Sequence, residues 1–499
     1  MKEFILPSKL EGIHIHFVGI KGTGMAALTE ILVNRGAVIT GSDVADVFYT
    51  DEVLKRCGIE SKLFSKDNIT KDLCCVIYSS AYNSKTNCEL ARAEELNIPC
   101  VLYSEALGQI SSHAFSCGIA GVHGKTTTTG ITGTLLKAVD LPVQVLAGSV
   151  ISSFGNENGS CTLLNGKKYF VAETCEYQRH FMSFHPKKII LTSIESDHQD
   201  FYPTYNDILQ AFIDYCCKLP ENGELIFCAD DAGAVEAANI VKSKRPDILL
   251  TPYGLNATGQ FQLSLCEIEN GKQYFNIAGF NNYKFALKIS GVHLVRNATA
   301  AIALTVSLLK EELNLSVNEI FENTELLSKM ASGLLDFKGG KRRSEIIGQI
   351  NNITFIDDYG HHPTAIKTTL EGYKKFYPNC KIIVDFMAHT YTRTAALLDE
   401  FASSFESAHE VILHKIYGSA RENASETGVT GELLYKRTCE KHSNVRYYNE
   451  VMDAYDELLT ELSKKDSSFP EGIVFVTMGA GDNWKLGKEL FNSLKQRSM

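Results

Sequence analysis

Short apolar segments alternate with longer stretches of helical periodicity along the chain. The apolar segments predict β-strands, the longer stretches predict helices, and glycine-rich turns separate several of them. Strands that alternate with helices form parallel sheets with crossover helices on their faces. The pattern therefore predicts an α/β fold, with strands at residues 13–19, 37–40, 76–81, 114–120, 169–172, 188–193, 354–359, 381–386 and 473–477.

The chain has 499 residues, which is too many for one ordinary hydrophobic core. Domains usually contain about 100–200 residues, so three domains are expected. The predicted strands fall into three groups along the chain. We therefore predict domains at residues 1–112, 113–330 and 331–499.

A nucleotide-binding loop is predicted at residues 118–127, which read GIAGVHGKTT. The segment follows a predicted strand and opens a helical stretch that ends near Lys137. This order aims backbone N–H groups and the positive end of the helix dipole at a phosphate. Lys125 would reach the terminal phosphates, and the Thr126 hydroxyl would bind Mg²⁺. Ile119 stands where the longer form of this pattern has a glycine, so the loop is a shorter variant. A glycine-rich turn with a solvated lysine is the alternative, and the register of strand, turn and helix argues against it.

A second glycine turn, G-x-x-G-x-G at residues 19–24, follows the first predicted strand. The next strand ends at residues 41–43, which read GSD, as in the first unit of a dinucleotide-binding fold. NAD is the default ligand for such a turn, a UDP-sugar diphosphate fits the same geometry, and a tight turn without a ligand is the third interpretation. Ser79 and Ser80 lie at the end of another predicted strand, at the edge of the sheet where a ligand would bind.

Acidic and imidazole groups follow two predicted strands of the middle segment. Glu173 ends one strand, and His198 lies shortly after the next. In an open α/β sheet this is the edge at which ligands bind. With Thr126, these residues could complete the coordination of Mg²⁺, or of Mn²⁺, beside the phosphates. Histidine is an unusual Mg²⁺ ligand, so a structural role is the alternative for His198.

Three further features carry candidate chemistry. Asn297 is predicted at the start of an alanine-rich helix, where asparagine is normally a cap, and it could also contact a base. The basic run at residues 339–343 would be a solvated charge cluster if it lay on the surface. Asp357 and Asp358 end one predicted strand of the third segment, and residues 389–394 follow another.

Composition narrows the classes of function. The net charge of −10 argues against a nucleic-acid partner. The 14 cysteines are scattered without a C-x-x-C pattern, which predicts reduced core residues. The N-terminus lacks the apolar core of a signal peptide, and no window of about 18 apolar residues indicates a membrane span. We therefore expect a cytoplasmic protein with no membrane partner.

Taken in order, these motifs resemble the Mur ligase family over all three segments. The resemblance implies an α/β fold of three domains: an N-terminal Rossmann-like domain that binds UDP, a central domain built on a P-loop ATPase-type parallel sheet, and a C-terminal Rossmann-like domain. The segments that carry it are residues 19–25, 41–43, 121–127, 173, 197–198, 293–297, 343, 357–363 and 389–394.

Within this family, the chain resembles the branch that joins L-alanine to UDP-N-acetylmuramate in peptidoglycan synthesis. The implied reaction forms ADP: ATP phosphorylates the lactyl carboxylate, and the amine of alanine then attacks the acyl phosphate. Two anions meet in the first step, so Lys125 and Mg²⁺ would screen their charge. Closure of three domains over the site would keep water from the intermediate.

The resemblance also implies roles for individual residues. Residues implied in ATP binding are Gly121, Val122, His123, Gly124, Lys125, Thr126, Thr127, His293, Asn297, Arg343 and Asp358. Those implied in UDP-sugar binding are Gly22, Thr23, Gly24, Met25, Ser42, Asp43, Ser79, Ser80 and His123. Tyr359, His361 and His389 would lie near the amino acid. The catalytic candidates are Lys125, His198, His389 and Arg393, and the metal candidates are Thr126, Glu173 and His198.

Some positions depart from the family pattern. Leu294, Thr390 and residues 174–180 differ from the usual residues. Thr390 replaces a basic residue expected near the carboxylate of the incoming amino acid, so glycine and serine remain alternatives to alanine. Residues 210–213 lack the lysine that several sister ligases carry, which favours the alanine-adding branch.

Two other functions remain as alternatives. The first is a recycling ligase that adds a whole peptide to UDP-N-acetylmuramate, and Gly24 argues against it because that enzyme usually has a bulky residue there. The second is a nicotinamide-dependent oxidoreductase that uses the turn at residues 19–24. This function would not explain the loop at residues 121–127. The sequence does not distinguish a monomer from a dimer.

Overall fold

The computed structural model describes residues 4–155, 159–269, 271–281, 283–289, 291–418, 428–464 and 468–497. The N-terminal part is a parallel sheet in the order β3-β2-β1-β4-β5, with helices between its strands. Its elements are β1 (His14–Val18), α1 (Thr23–Asn34), β2 (Val38–Asp43), α2 (Asp51–Arg56), β3 (Lys62–Leu63), β4 (Cys75–Tyr78), α3 (Cys88–Glu95), β5 (Cys100–Leu102) and α4 (Tyr103–Ser112).

The central sheet has the order β12-β11-β10-β6-β9-β7-β8. All of its pairs are parallel except β7 with β8, so the predicted parallel sheet ends in one antiparallel edge strand. Its elements are β6 (Phe115–Ala120), α5 (Lys125–Ala138), β7 (Val143–Ile151), β8 (Ser160–Asn165), β9 (Tyr169–Glu173), β10 (Lys188–Leu191), α6 (Tyr205–Cys216), β11 (Glu224–Cys228), α7 (Ala232–Lys244) and β12 (Leu249–Tyr253).

A small antiparallel sheet and three helices follow, which the sequence pattern did not separate from the central sheet. They are β13 (Leu263–Glu269), β14 (Lys272–Ile277), β15 (Lys284–Leu287), α8 (Val292–Leu313), α9 (Val317–Glu322) and α10 (Thr324–Asp336). Helix α8 is long and apolar enough to cross a membrane by length and composition, contrary to the expectation from the sequence. It is 83% buried inside the protein over its most apolar window, as a core helix is.

The third sheet has the order β16-β17-β21-β18-β19-β20 and is parallel except for the β16–β17 pair. Helices cover its two faces. The elements are β16 (Glu345–Ile350), β17 (Ile353–Asp358), α11 (Pro363–Phe376), β18 (Lys381–Met387), α12 (Tyr391–Ala396), α13 (Leu398–Ser403), β19 (Glu410–Leu413), α14 (Gly431–Cys439), β20 (Val445–Tyr447), α15 (Tyr455–Leu462), β21 (Ile473–Gly479) and α16 (Trp484–Arg497).

The apolar cores show how the three parts are joined. One continuous cluster of buried side chains runs from the first sheet through the central sheet to Phe337, whereas the third sheet has separate clusters on its two faces. Between the first two parts, Glu30 of α1 accepts hydrogen bonds from Ser160 and Thr162 of β8. Among the described residues, the third part thus shares no buried apolar cluster with the other two. The 14 cysteines, all of which lie in described residues, are free thiols.

Candidate active site

The predicted nucleotide loop joins β6 to α5, in the middle of the central sheet. Gly121 and Gly124 have φ angles of +134° and +82°, a region of backbone conformation that favours glycine. The loop is fixed by the segment after β10, because Val122 N donates to the Ser193 carbonyl at 2.9 Å and His123 N donates to its hydroxyl at 2.9 Å. The free N–H groups at the start of α5 and its dipole make this turn suited to a phosphate.

Lys125, the first residue of α5, turns back over this loop. Its ammonium nitrogen lies 2.9 and 3.0 Å from the two carboxylate oxygens of Glu176, and it donates to the Gly121 carbonyl at 2.5 Å. Burial opposes both charges, but each group holds the other ionised: the net effect raises the pKa of Lys125 and lowers the pKa of Glu176. The loop therefore contains a fully charged lysine whose partner is a carboxylate.

Two oxygen ligands of the predicted metal site are in contact. The Thr126 hydroxyl donates to Glu173 Oε1 at 3.1 Å, and Gly148 N donates to the other oxygen of that carboxylate at 2.7 Å. They meet because β9 lies beside β6 in the sheet, so Glu173 ends one strand next to the loop that follows the other. A hydroxyl and a carboxylate are the donors that Mg²⁺ prefers.

His198 lies beside Glu176 instead. Its Nε2 is 3.5 Å from Glu176 Oε1, and its ring packs 4.9 Å from the ring of Tyr177. Its φ of +55° is uncommon for a residue with a side chain, and the Asp197 carboxylate accepts from its backbone N–H at 2.8 Å. In the described contacts, His198 does not touch Thr126 or Glu173.

A buried ion pair connects the central and third parts. Arg393 of α12 donates to Asp197 Oδ1 through Nη2 at 2.8 Å and through Nε at 3.2 Å. Their side chains are 9% and 6% exposed. Burial raises the pKa of the Asp197 carboxyl, but Arg393 and His198 lower it more, so the net shift is strongly downward. The pair places a catalytic candidate of the third part next to the histidine of the central part.

The residues predicted near the base lie on α8. The helix begins at Val292 with Gly291 as its cap, so the prediction that Asn297 caps the helix is wrong. Asn297 lies in the second turn and faces the nucleotide loop, where a Cβ on Gly124 would be 2.8 Å from its Oδ1. His293 and Arg296 line a cavity shared with Thr368 of α11. Burial lowers the pKa of His293 to about 4, with Asp358 opposing the shift.

The third part places its candidates around Tyr359. The guanidinium carbon of Arg343 lies 4.9 Å from the centroid of the Tyr359 ring, and His361 Nδ1 is 2.9 Å from the Tyr359 carbonyl. His389 packs against His361, with ring centroids 6.5 Å apart. Burial and Arg393 lower the pKa of His361 well below its usual range, so this imidazole is neutral at pH 7.

Arg342 of the basic run at residues 339–343 is integrated into the structure, whereas Lys341 is exposed. Arg342 donates to Asp357 Oδ2 at 3.0 Å and to the carbonyls of Gly479 and Gly481. Asp358 is also turned inward: it accepts from Ser344 N and Gly360 N, both at 2.7 Å. As folded, Asp358 organises its own loop and does not present a free carboxylate.

The first glycine turn lies at the carboxyl end of β1, where α1 begins at Thr23. Gly24 is closely covered, because a Cβ there would be 2.7 Å from the ring of Tyr103. Thr23 bonds Tyr49 through their hydroxyls, Gly22 caps α1, and Met25 is buried behind the turn. Ser79 and Ser80 follow β4 at the same sheet edge.

Two residues that are predicted to bind the UDP-sugar also support this turn. The hydroxyl of Ser42 is buried and donates to Glu89, while its carbonyl accepts from the N–H groups of Gly19 and Ile20. Asp43 accepts from Lys21 N at 2.7 Å. Both side chains bond to protein groups around the turn, and their contact with the UDP-sugar stays a prediction.

Comparison with known proteins identifies the family. The chain matches the family descriptions "Mur ligase family, catalytic domain" at residues 14–115, "Mur ligase middle domain" at 119–305 and "Mur ligase, glutamate ligase domain" at 342–481. It is 50% identical over 497 residues to the UDP-N-acetylmuramate–L-alanine ligase of Treponema pallidum strain Nichols, covering 99% of this chain and 100% of that protein. The chain belongs to the Mur ligase family.

Other relatives agree with this assignment. The UDP-N-acetylmuramate–L-alanine ligase of Borreliella burgdorferi is 36% identical over 477 residues, which are 95% of this chain and 97% of that protein. Among solved structures, the UDP-N-acetylmuramate–alanine ligase of Thermotoga maritima has a TM-score of 0.73 at 24% identity, covering 98% of this chain and all of that one. A murein peptide ligase of Psychrobacter arcticus has a TM-score of 0.63 at 21% identity, covering 97% and 99%. The predicted three-part α/β fold and the family resemblance are thus confirmed.

Members of the Mur ligase family depend on ATP, and the loop at residues 121–127 lies within the segment that matches the middle domain of the family. Sequence reasoning missed three charged or imidazole residues at this site: Glu176, Glu195 and His362. Each is close in sequence to a predicted site residue. Glu176 follows Glu173 by three positions, Glu195 precedes His198 by three, and His362 follows His361 directly. Only the sheet order and the packing of the third part show that they face the loop.

Proposed function

We propose that this Mur ligase joins L-alanine to the lactyl carboxylate of UDP-N-acetylmuramate, with conversion of ATP to ADP and through an acyl-phosphate intermediate. The main support is the 50% identity, over 99% of the chain, to a protein named for that reaction. The reaction would supply a precursor of peptidoglycan. The family assignment favours this ligase over the nicotinamide-dependent alternative, and Gly24 under Tyr103 favours it over the peptide-adding one.

The nucleotide loop would bind the ATP phosphates. Phosphate oxygens would replace Glu176 as the partner of the Lys125 ammonium, while the first N–H groups of α5 hold the β-phosphate. Asn297 faces the same loop and His293 lines the adjoining cavity, so the adenine would lie between α8 and α11. Lys125 would then stabilise the charge that develops as the substrate carboxylate attacks the γ-phosphate.

Thr126 and Glu173 fit a magnesium ion, because their oxygens already meet beside the loop. When bound there, Mg²⁺ would neutralise phosphate charge. His198, which contacts Glu176, would contribute at a second position nearer the substrate. Mn²⁺ would suit the same donors.

The third part would deliver the amino acid. Arg393, positioned by Asp197, supplies positive charge next to His198, and His361 packs with His389 and Tyr359 in the same part. A neutral His361 can accept a hydrogen bond from an amine. Arg393 would also offer the carboxylate of the amino acid a cation, in place of the basic residue that Thr390 replaces. The enzyme would act on soluble small molecules in the cytoplasm.

The test is product analysis. Purified protein is incubated with ATP, Mg²⁺, UDP-N-acetylmuramate and one of alanine, glycine or serine, and the products are identified by mass. We expect a UDP-N-acetylmuramoyl-alanine product and one ADP per product, with less product from glycine and serine. A product formed from a tripeptide but not from alanine would favour the recycling ligase. Absence of any ATP-dependent amide product would refute the proposal.

A further inference from the structure

Two histidines and a glutamate meet where the nucleotide loop, the segment after β10 and the start of α11 come together. They are His123, Glu195 and His362, and their ligand atoms all lie within 4.8 Å of one another. The three residues come from separate stretches of chain and from two parts of the protein. The cluster therefore exists only when the third part is docked on the central part.

The distances within the cluster suit a shared ligand. His123 Nε2 lies 2.6 Å from Glu195 Oε1, and His362 Nδ1 lies 3.8 Å from Glu195 Oε2. The two imidazole ring centroids are 4.9 Å apart. Ligands about 2.0–2.2 Å from a tetrahedral ion lie about 3.3–3.6 Å from each other, a range that falls between the two measured contacts. Thr364 orients the carboxylate by donating to Oε2 at 3.0 Å.

The imidazole of His362 is not satisfied by the protein. His362 is 5% exposed, and neither of its ring nitrogens has a hydrogen-bond partner within the described part of the chain. His123 Nε2, by contrast, has the Glu195 carboxylate as its partner at 2.6 Å. An unpaired buried polar group costs about 1–3 kcal/mol, so an imidazole with two such nitrogens calls for a partner.

We propose that His123, Glu195 and His362 bind one divalent transition-metal ion, for which Zn²⁺ has the best-matched chemistry. Two imidazole nitrogens and one carboxylate leave a fourth position open, as in zinc sites with three protein ligands. Imidazole also suits Co²⁺ and Ni²⁺, whereas Mg²⁺ prefers oxygen donors such as Thr126 and Glu173. The site is thus separate from the predicted magnesium site.

Such an ion would link two parts of the enzyme. His123 belongs to the nucleotide loop, and His362 caps α11 of the third part. Binding to both would hold the third part in its docked position and would stabilise the folded chain by an amount that grows with the logarithm of the metal concentration above Kd. The same ion would restrain the loop that has to accept ATP.

The experiment measures metal binding by the full-length protein after treatment with a chelator. Co²⁺ is titrated in the presence of excess Mg²⁺, which occupies oxygen ligands, and the visible d–d absorption is recorded. Bound metal is counted by mass spectrometry. We expect one Co²⁺ per chain, displaceable by Zn²⁺, without the strong near-ultraviolet absorption of thiolate ligation. No ATP or UDP-sugar is present, so the result does not depend on the proposed ligase activity.

Variants identify the ligands. We expect His362→Ala and Glu195→Gln each to abolish the stoichiometric Co²⁺ signal, and thermal melting without metal verifies that they fold. His442→Ala is the matched control, because His442 is a half-buried histidine of the third part that contacts the Ala408 carbonyl. Wild-type protein without saturable binding overturns the proposal. Binding that persists unchanged in both ligand variants overturns it as well, because the metal would then be held elsewhere.

Discussion

Lys125 and Glu176 form an ion pair inside the nucleotide loop, with the ammonium 2.9 and 3.0 Å from the two carboxylate oxygens. The two residues are 51 positions apart, and their side chains are 14% and 3% exposed. A buried charge needs a partner, so any anion that enters the loop has to compete with Glu176 for Lys125. This competition leads to the first two predictions.

Lys125→Ala is expected to abolish ATP turnover. Removal of a charge that stabilises the transferring phosphoryl group typically costs at least about 10²–10³-fold in kcat. Phosphate release would be measured with UDP-N-acetylmuramate and alanine, and UDP-N-acetylmuramate binding by calorimetry should be unchanged. Lys137→Ala, at the exposed end of the same helix, serves as the control. Near-normal turnover in Lys125→Ala would exclude this loop as the phosphate site.

Glu176→Gln is expected to tighten ATP binding. The amide keeps the shape of the side chain but not its charge, so the phosphates no longer compete with an anion for Lys125. The expected gain in ATP affinity is about tenfold, equivalent to about 1.4 kcal/mol. The affinity of ATP without the other substrates would be measured, with the exposed Glu221→Gln as control. Weaker ATP binding would mean that Glu176 assists the nucleotide and does not compete with it.

The magnesium requirement is expected to depend on Thr126 and Glu173 more than on His198. Thr126→Val removes the hydroxyl and keeps the shape, whereas Thr126→Ser keeps the hydroxyl. We expect Thr126→Val and Glu173→Ala to raise the Mg²⁺ concentration for half-maximal activity by about tenfold or more, Thr126→Ser to change it little, and His198→Ala to have an intermediate effect. If none of these variants alters the Mg²⁺ dependence, the predicted coordination is incorrect.

Arg393→Ala is expected to destabilise the enzyme in a pH-dependent manner. It leaves Asp197 buried without its cation, which typically costs about 3–5 kcal/mol. Because the pKa of Asp197 is lowered in the folded protein, the pair contributes its full stability above the unfolded-state pKa of about 3.9 and loses it as the pH falls below that value. Unfolding free energies measured from pH 7 to pH 3 should show a difference between wild type and variant that is largest at pH 7. A difference that is constant with pH would contradict an ionised Asp197.

Gly24→Ala is expected to weaken binding of UDP-N-acetylmuramate. A Cβ at this position would lie 2.7 Å from the Tyr103 ring, so either the turn or the ring has to move, at a cost of about 1–3 kcal/mol. Tyr103→Ala removes the obstacle, and the double variant should therefore bind better than Gly24→Ala alone. Calorimetry would measure the affinity of the wild type and of the three variants for UDP-N-acetylmuramate. If the double variant is no better, the contact with Tyr103 is not what requires glycine.

Much of the fold and part of the site could be predicted from local sequence. Strands, helices and glycine turns are set by residues close together in the chain, so the strand before the loop, Lys125 at the start of α5 and Thr126 beside it were all placed correctly. The meeting of Thr126 with Glu173 could also be expected, because parallel strands end at the same edge of a sheet.

Local patterns failed where a residue belongs to a longer element, and they left side-chain direction open. Asn297 follows five residues that already form α8. The helix therefore begins earlier than the capping preference of asparagine predicts, because its apolar residues pack in the core. Ser42 and Asp43 ended the right strand, but their side chains bond to Glu89 and to Lys21 N behind the turn. Side-chain direction at a strand end depends on the neighbours on each face, which one sequence does not reveal.

The sequence by itself determined the order of the elements, the two glycine turns and the position of Lys125 at the start of α5, because these depend on short-range backbone geometry. Tertiary structure alone decided which charges meet. Asp197 and Arg393 are 196 residues apart, and His123, Glu195 and His362 converge from three segments. Such contacts arise from the sheet order and from docking of the third part. A buried charge is costly unless an opposite charge lies beside it, and only the fold brings that partner close.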